Sequence, residues 1–438
     1  MTEHCPAFLP TAPVSITDTG LDHRFLCELA LKNLYHEGDM LGYRLAERMQ
    51  LPHAGVVDAV LASLKREQLC EVRGSTTGAG GQVGLGRAAY HYHLTDRGVS
   101  AAREALNRSQ YVGPAPVPLA EYDEAMRCQR SARRIARRDG LTAALSHLLV
   151  DGGTIMHLGA AINSRRAIFL YGPSGDGKTA ISEAIGDLIM QGSLYIPYAV
   201  VTGREVVTVF DRANHVPAED ALVDTRRQDQ RWVRIRRPFI AVGGEMTLTQ
   251  LDLIYERTRR YYEAPLQMKA NGGMLLIDDF GRQQVRPRDL LNRWIVPLEK
   301  RTDYLTLHTG RKIQIPFETL IIFATNLEPK DLVDEAFLRR IRHKIEIGDP
   351  TWDEYRDIFR HVCEQEQIPY DEQALRYLIT EHYLKAGRPR RRCHPRDIVQ
   401  QVQDIASYSG RPVTLTRELL DEACATYFVD FHNTPQEH

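Results

Sequence analysis

Apolar residues recur at helical spacing in three early segments, 21–38, 39–51 and 53–69. In the first, "LDHRFLCELALKNLYHEG", Phe25, Leu26, Leu29 and Leu34 recur near helical spacing. From 70 the pattern changes to strand, glycine-rich loop at 78–86 and strand, and then "LTDRGVSAAREAL" reads as a capped helix. "YVGPAPVPLA", 111–120, holds three prolines and two valines and reads as a semi-rigid linker. Short strand-like runs at 167–171, 206–211, 274–278 and 319–324 then alternate with helical stretches, the pattern of a parallel α/β sheet. After 350 the strands stop. Four helices are expected near 351–366, 371–386, 395–408 and 416–427. "TWDE" at 351–354 is a capping box, and Pro395 suits a first helical position.

The 438 residues exceed a single simple core and point to several domains. Hydrophobic residues make up 43% and charged ones 26%, with a formal net charge of −1, so the surface as a whole does not advertise nucleic acid or anionic lipid. Seven scattered cysteines include no C-x-x-C pair and read as reduced thiols, not a disulfide frame or zinc site. The first residues lack a basic n-region and an apolar h-region, and no run is long enough to span a bilayer. A cytoplasmic location without a membrane span is the expectation.

The chemistry concentrates in two places. "AIFLYGPSGDGKTAISEAIGDLI" runs from an apolar strand through Gly172, Pro173, Ser174, Gly175, Asp176, Gly177, Lys178 and Thr179 into an amphipathic helix. This is a complete G-x-x-x-x-G-K-[ST] in its strand–helix setting. Glycines let successive N–H groups face one anion, the helix N-terminus adds its dipole, Lys178 reaches phosphates and the Thr179 hydroxyl suits Mg²⁺. About a hundred residues on, "MLLIDDFG" ends a buried strand in two acids. Asp278 is the expected Mg²⁺ holder and Asp279 the candidate to polarise an attacking water.

With these motifs in order, residues 125–430 resemble the AAA+ ATPase family. The resemblance implies a P-loop α/β core with a parallel sheet at 125–348 and an α-helical lid at 349–430. It also implies roles. Asn326, in "TLIIFATNLEP", matches the sensor that orients water. "DEAFLRRIRHKIEI" matches the arginine-finger segment, with Arg340 aligned best and Arg339 the close alternative. Arg396, in "CHPRDIV", matches the second sensor, which contacts the γ-phosphate. "DYLTLHTGRKIQIP" before the Asn326 strand resembles the β-hairpin of the enhancer-binding activator and MoxR-type subgroup. The resemblance further implies ATP with Mg²⁺ as cofactors and a homo-oligomer, most simply a hexamer, because a finger acts on its neighbour's nucleotide. Asp279 is a departure, since most members carry glutamate there and bacterial initiators and helicase loaders often carry aspartate. One methylene less predicts slow turnover, because a misplacement of about 1 Å costs on the order of a hundredfold.

Residues 19–110 resemble a winged helix-turn-helix domain, flanked by loose tails at 1–18 and 431–438 and a linker at 111–124. Two classes of target stay open: DNA through this domain, or a protein client. Residues 19–107 hold ten Lys/Arg and ten Asp/Glu, and the candidate recognition helix offers His53 early and Lys65-Arg66 only at its far end. A DNA reader usually shows a basic face. Arg127, Arg130, Arg134 and Arg137 would share a helix face, as a solvated or subunit surface or as a nucleic-acid contact. Phe239-Ile240 with Gly243-Gly244 fits either a pore loop or a core strand.

Overall fold

A computed structural model describes residues 8–75, 86–131, 136–218, 227–332 and 338–428. By internal contacts the chain divides into two units: 1–135 with 189–276 and 283–321, and 136–188 with 277–282 and 322–438.

In the first unit, helices His23–Glu37, Gly42–Met49 and Asp58–Arg66 are followed by an antiparallel pair, Cys70–Ser75 and Tyr90–Leu94, with Met40–Leu41 as a third strand on Tyr90–Leu94. Asp22 and Thr95 cap the first helix and the helix Asp96–Arg108 with their side chains. Leu26, Leu29, Leu45, Met49, Val57, Val60, Leu64 and Tyr92 share one core, so the helical spacing in the sequence marks faces that are buried. The glycine-rich tip read at 78–86 falls almost wholly outside the described residues.

Three expectations change here. The segment 8–18, read as a loose tail, is packed. Phe8 stacks edge-on against Trp232, the Ala12 amide donates to the Arg227 carbonyl, and the Val14 carbonyl sits so close to Gly55 that a Cβ there would overlap it. Buried Arg231, 1% exposed, holds both Asp229 oxygens and donates to the Thr19 carbonyl at 2.8 Å. The stretch read as a linker contributes the strand Val117–Pro118, parallel to Ala199–Thr202, and starts the helix Leu119–Ser131. Ala115 and Val117 are fully buried, which a solvated spacer would not be. The arginine face is also interrupted. Arg127 and Arg130 lie on that helix, Arg134 is outside the described residues, and Arg137 is an extended residue before the next helix.

The central sheet has five strands, in the order Phe239–Val242, Met274–Ile277, Leu320–Thr325, Ile168–Tyr171, His343–Glu346. Leu320–Thr325 and His343–Glu346 both run parallel to Ile168–Tyr171, and the sheet gives the chain a mixed α/β fold with a parallel core. The run at 206–211 is not part of it. Glu205–Thr208 pairs antiparallel to Ala199–Thr202 in a separate five-stranded sheet, and Phe239–Val242 takes the expected place. Alternating apolar residues mark a strand but not the sheet it joins. Ile240 is accordingly a core residue, 4% exposed. Thr302–Thr306 and Lys312–Pro316 form the expected hairpin.

The second unit carries helices Lys178–Met190, Trp352–Gln365, Glu372–Leu378 (continued to Leu384), His394–Ser409 and Arg417–Tyr427. The last four share a core around Phe359, Leu375, Val399 and Leu420. Thr351 and Glu354 form both halves of the capping box. Among the described residues no helix is long and apolar enough to cross a membrane.

Candidate functional site

The strand Ile168–Tyr171 is buried on both faces, and Phe169 stacks on Phe323 of the neighbouring strand. Where it ends the chain turns through Gly172, Gly175 and Gly177, all at positive φ (143°, 88° and 85°). Side chains rarely adopt such angles. Gly175 also leaves no room, because a Cβ would lie 2.6 Å from the Cys393 sulfur. The helix begins at Lys178, so its first amides point back into the turn. Open strand ends in a parallel sheet are where such folds take ligands.

Lys178 Nζ donates to the Gly172 and Pro173 carbonyls at 2.9 and 2.7 Å. Burial lowers its pKa, against the raising influence of Asp176, Asp278 and Asp279. Thr179 Oγ1 donates to Asp278 Oδ2 at 2.8 Å, although the two are 99 positions apart. Asp279 follows with φ 47°, a left-handed backbone that aspartate tolerates better than most residues. Its amide donates to Asp278 Oδ1 at 3.0 Å, and Asn326 Nδ2 reaches Asp279 Oδ1 at 3.4 Å. Two neighbouring strand ends therefore present an acid pair and an amide side by side.

A cleft of about 510 Å³ brings these groups together. Ser174 to Thr179, Asp278, Asp279, Asn326 and Arg396 all line it. The Arg396 side chain is 64% exposed and reaches Asp397 Oδ1 at 3.4 Å. Among the described residues that line the cleft, neither Arg339 nor Arg340 appears. Both lie in the turn before His343–Glu346, with Arg339 exposed and Arg340 half-buried. Segment 333–337 is outside the described residues.

Motif reading missed two features. One is the cleft's apolar wall, from Leu148, Leu149, Ile358 and Val362 with His361 and Gln365 beside them. These residues carry no motif, because an apolar wall has the same composition as a core. The other is a clasp on Asp176. This fully buried aspartate accepts the Arg392 amide at 3.2 Å, and its other oxygen faces the Arg391 guanidinium at 3.6 Å. The Cys393 amide donates to the Gly175 carbonyl at 2.9 Å, and Arg391 also pairs with Asp349. Burial raises the Asp176 pKa while the Arg392 amide and Arg391 oppose the rise. Only the run of arginines at 390–392 hinted at this contact.

The donor set suits a magnesium–triphosphate pair. Among the described residues there is no group of three or more His, Cys, Asp or Glu placed to hold a metal. A hydroxyl and one carboxylate within hydrogen-bonding distance match Mg²⁺, which keeps waters and borrows phosphate oxygens. The lysine and the run of turn amides match the phosphates.

A protein-family model described as a domain of unknown function (DUF8689) matches residues 351–426, the four-helix segment. No curated protein matches the chain. Among solved structures, NtrX from Brucella abortus in complex with ADP is similar at 16% identity and TM-score 0.39, over 75% of this chain and 66% of that one. NtrX in complex with ATP gives 14% and 0.38, over 75% and 64%. The RuvB Holliday junction branch migration motor of Thermotoga maritima gives 12% and 0.36, over 64% and 70%. The chain thus spans just under two thirds of the NtrX chains. Similarity at this level concerns the fold and assigns no activity.

Proposed function

We propose that the chain is a Mg²⁺-dependent ATPase of the AAA+ type that assembles into a homo-oligomeric ring and remodels a protein partner. The observation that carries the reading is the 2.8 Å bond from Thr179 to Asp278 beside Lys178, which joins the glycine turn to the acidic strand end in one cleft.

The roles are those the family resemblance implies, and the placement of the residues supports them. Turn amides and Lys178 bind the phosphates, and Thr179 with Asp278 hold Mg²⁺, which would neutralise phosphate charge as it develops. Asp279 accepts the proton of the attacking water, and Asn326 fixes the direction of that carboxylate. Arg396, exposed at the rim, swings onto the terminal phosphate. Arg340, or Arg339 beside it, completes the site of a neighbouring copy, and its absence from the lining of its own cleft supports that assignment. A finger supplied in trans makes a heterologous contact, which closes into a ring. The hairpin before Leu320–Thr325 supports placement in the activator and MoxR-like subgroup.

DNA binding through the winged-helix-like domain is the weaker reading. The exposed positions of the candidate recognition helix include Ala54, Gly55, Ala62, Lys65 and Arg66, with the cations only at the far end.

Calorimetry tests the core claim. MgATP should bind with one site per chain, and EDTA or Lys178→Ala should weaken binding at least tenfold. Heat that is absent, or unaffected by both, would sink the reading.

A further inference from the structure

The first unit holds a second cleft, of about 370 Å³, lined by the helix His23–Glu37 with its cap Asp22, the end of the helix Asp96–Arg108, and residues 203–206 at the start of the strand Glu205–Thr208. Five cations line it against three carboxylates. Glu28 is already engaged by Arg24 and Arg108 at 3.1 and 3.0 Å. Lys32, Arg204 and Arg260 remain. Lys32 is 5% exposed, and its only hydrogen bond among the described residues is to the Ser109 carbonyl at 3.3 Å. That bond caps a helix end but uses one of three ammonium donors, and Glu28, whose charge also acts on Lys32, is shared with Arg24 and Arg108. Burial pushes the Lys32 pKa down to about 8. Arg204 and Arg260 are exposed and have no ion-pair partner among the described residues. Leu21, Phe25 and Val206 supply apolar wall.

We propose that this cleft binds a phosphorylated small molecule, with Lys32, Arg204 and Arg260 taking the phosphoryl group and Leu21, Phe25 and Val206 its organic part. An excess of two positive charges matches a dianionic phosphate, which carries about −1.5 to −2 near neutral pH. The planar guanidinium fork can donate to two of its oxygens at once. The volume is that of a small-ligand site. The site is independent of the glycine turn and of the ATPase reading.

The test uses the full chain carrying Lys178→Ala, so that the glycine turn does not compete, and inorganic pyrophosphate as probe. Calorimetry at constant ionic strength should give saturable one-site binding. Arg204→Gln with Arg260→Gln should weaken it at least tenfold, and these exposed positions leave the fold unperturbed. Lys32→Met should abolish it. No saturable heat, or binding unchanged in the double variant, overturns the proposal. Citrate binding as tightly as pyrophosphate overturns the phosphoryl assignment.

Discussion

At the scale of single residues, the proposed base Asp279 carries the sharpest prediction. Its backbone is left-handed at the end of a strand, and Asn326 donates to its carboxylate at 3.4 Å. General-base assistance is worth about 10² to 10⁴ in rate. Asp279→Asn should therefore leave MgATP affinity within about twofold by calorimetry and lower phosphate release at least a hundredfold. Turnover that survives would move the base elsewhere. The glycines, Lys178, Thr179 and both aspartates were legible because each motif is local and its residue types follow from phosphate and metal chemistry. The Asp176 clasp was not, since its partners lie more than two hundred positions away and a buried aspartate looks like any loop acid in sequence.

At the scale of elements, local signals read well and pairing read poorly. Thr351 and Glu354 announced their helix, and the hairpin Thr302–Thr306 with Lys312–Pro316 was expected from the family resemblance. The run at 206–211 looked like the others yet joined another sheet, because partners are chosen by packing. The helix His394–Ser409 carries a pH dependence of its own. The His394 ring lies 2.9 Å from the Tyr383 hydroxyl, and burial pushes its pKa down to about 4, with Arg391 adding to the fall and Asp397 opposing it. The unfolded chain then binds the extra proton between pH 6.5 and about 4. Stability is full above 6.5 and falls as pH drops through that window, on the order of 1–2 kcal/mol after allowance for solvent screening. Urea unfolding at pH 4.5 and 7 should show this difference, and His394→Gln should shrink it. An undiminished difference in the variant would assign the effect to other groups.

At the scale of the whole molecule, the prediction is assembly. MgATP should shift the chain to a larger species in analytical ultracentrifugation. Arg340→Ala should keep nucleotide binding and lose about 10³-fold in turnover, as expected for a finger supplied by a neighbour. A monomer at high concentration with MgATP would refute the ring. The charge balance was legible from composition, whereas the docking of 8–18 was not: Phe8 finds Trp232 more than two hundred positions away. That arm has a consequence. It lays the Val14 carbonyl against Gly55, in the turn that leads into the helix Asp58–Arg66. A lone methyl group at 55 would act as a wedge. Gly55→Ala should pry the arm loose, so that protease cuts within 8–18 sooner than in the parent.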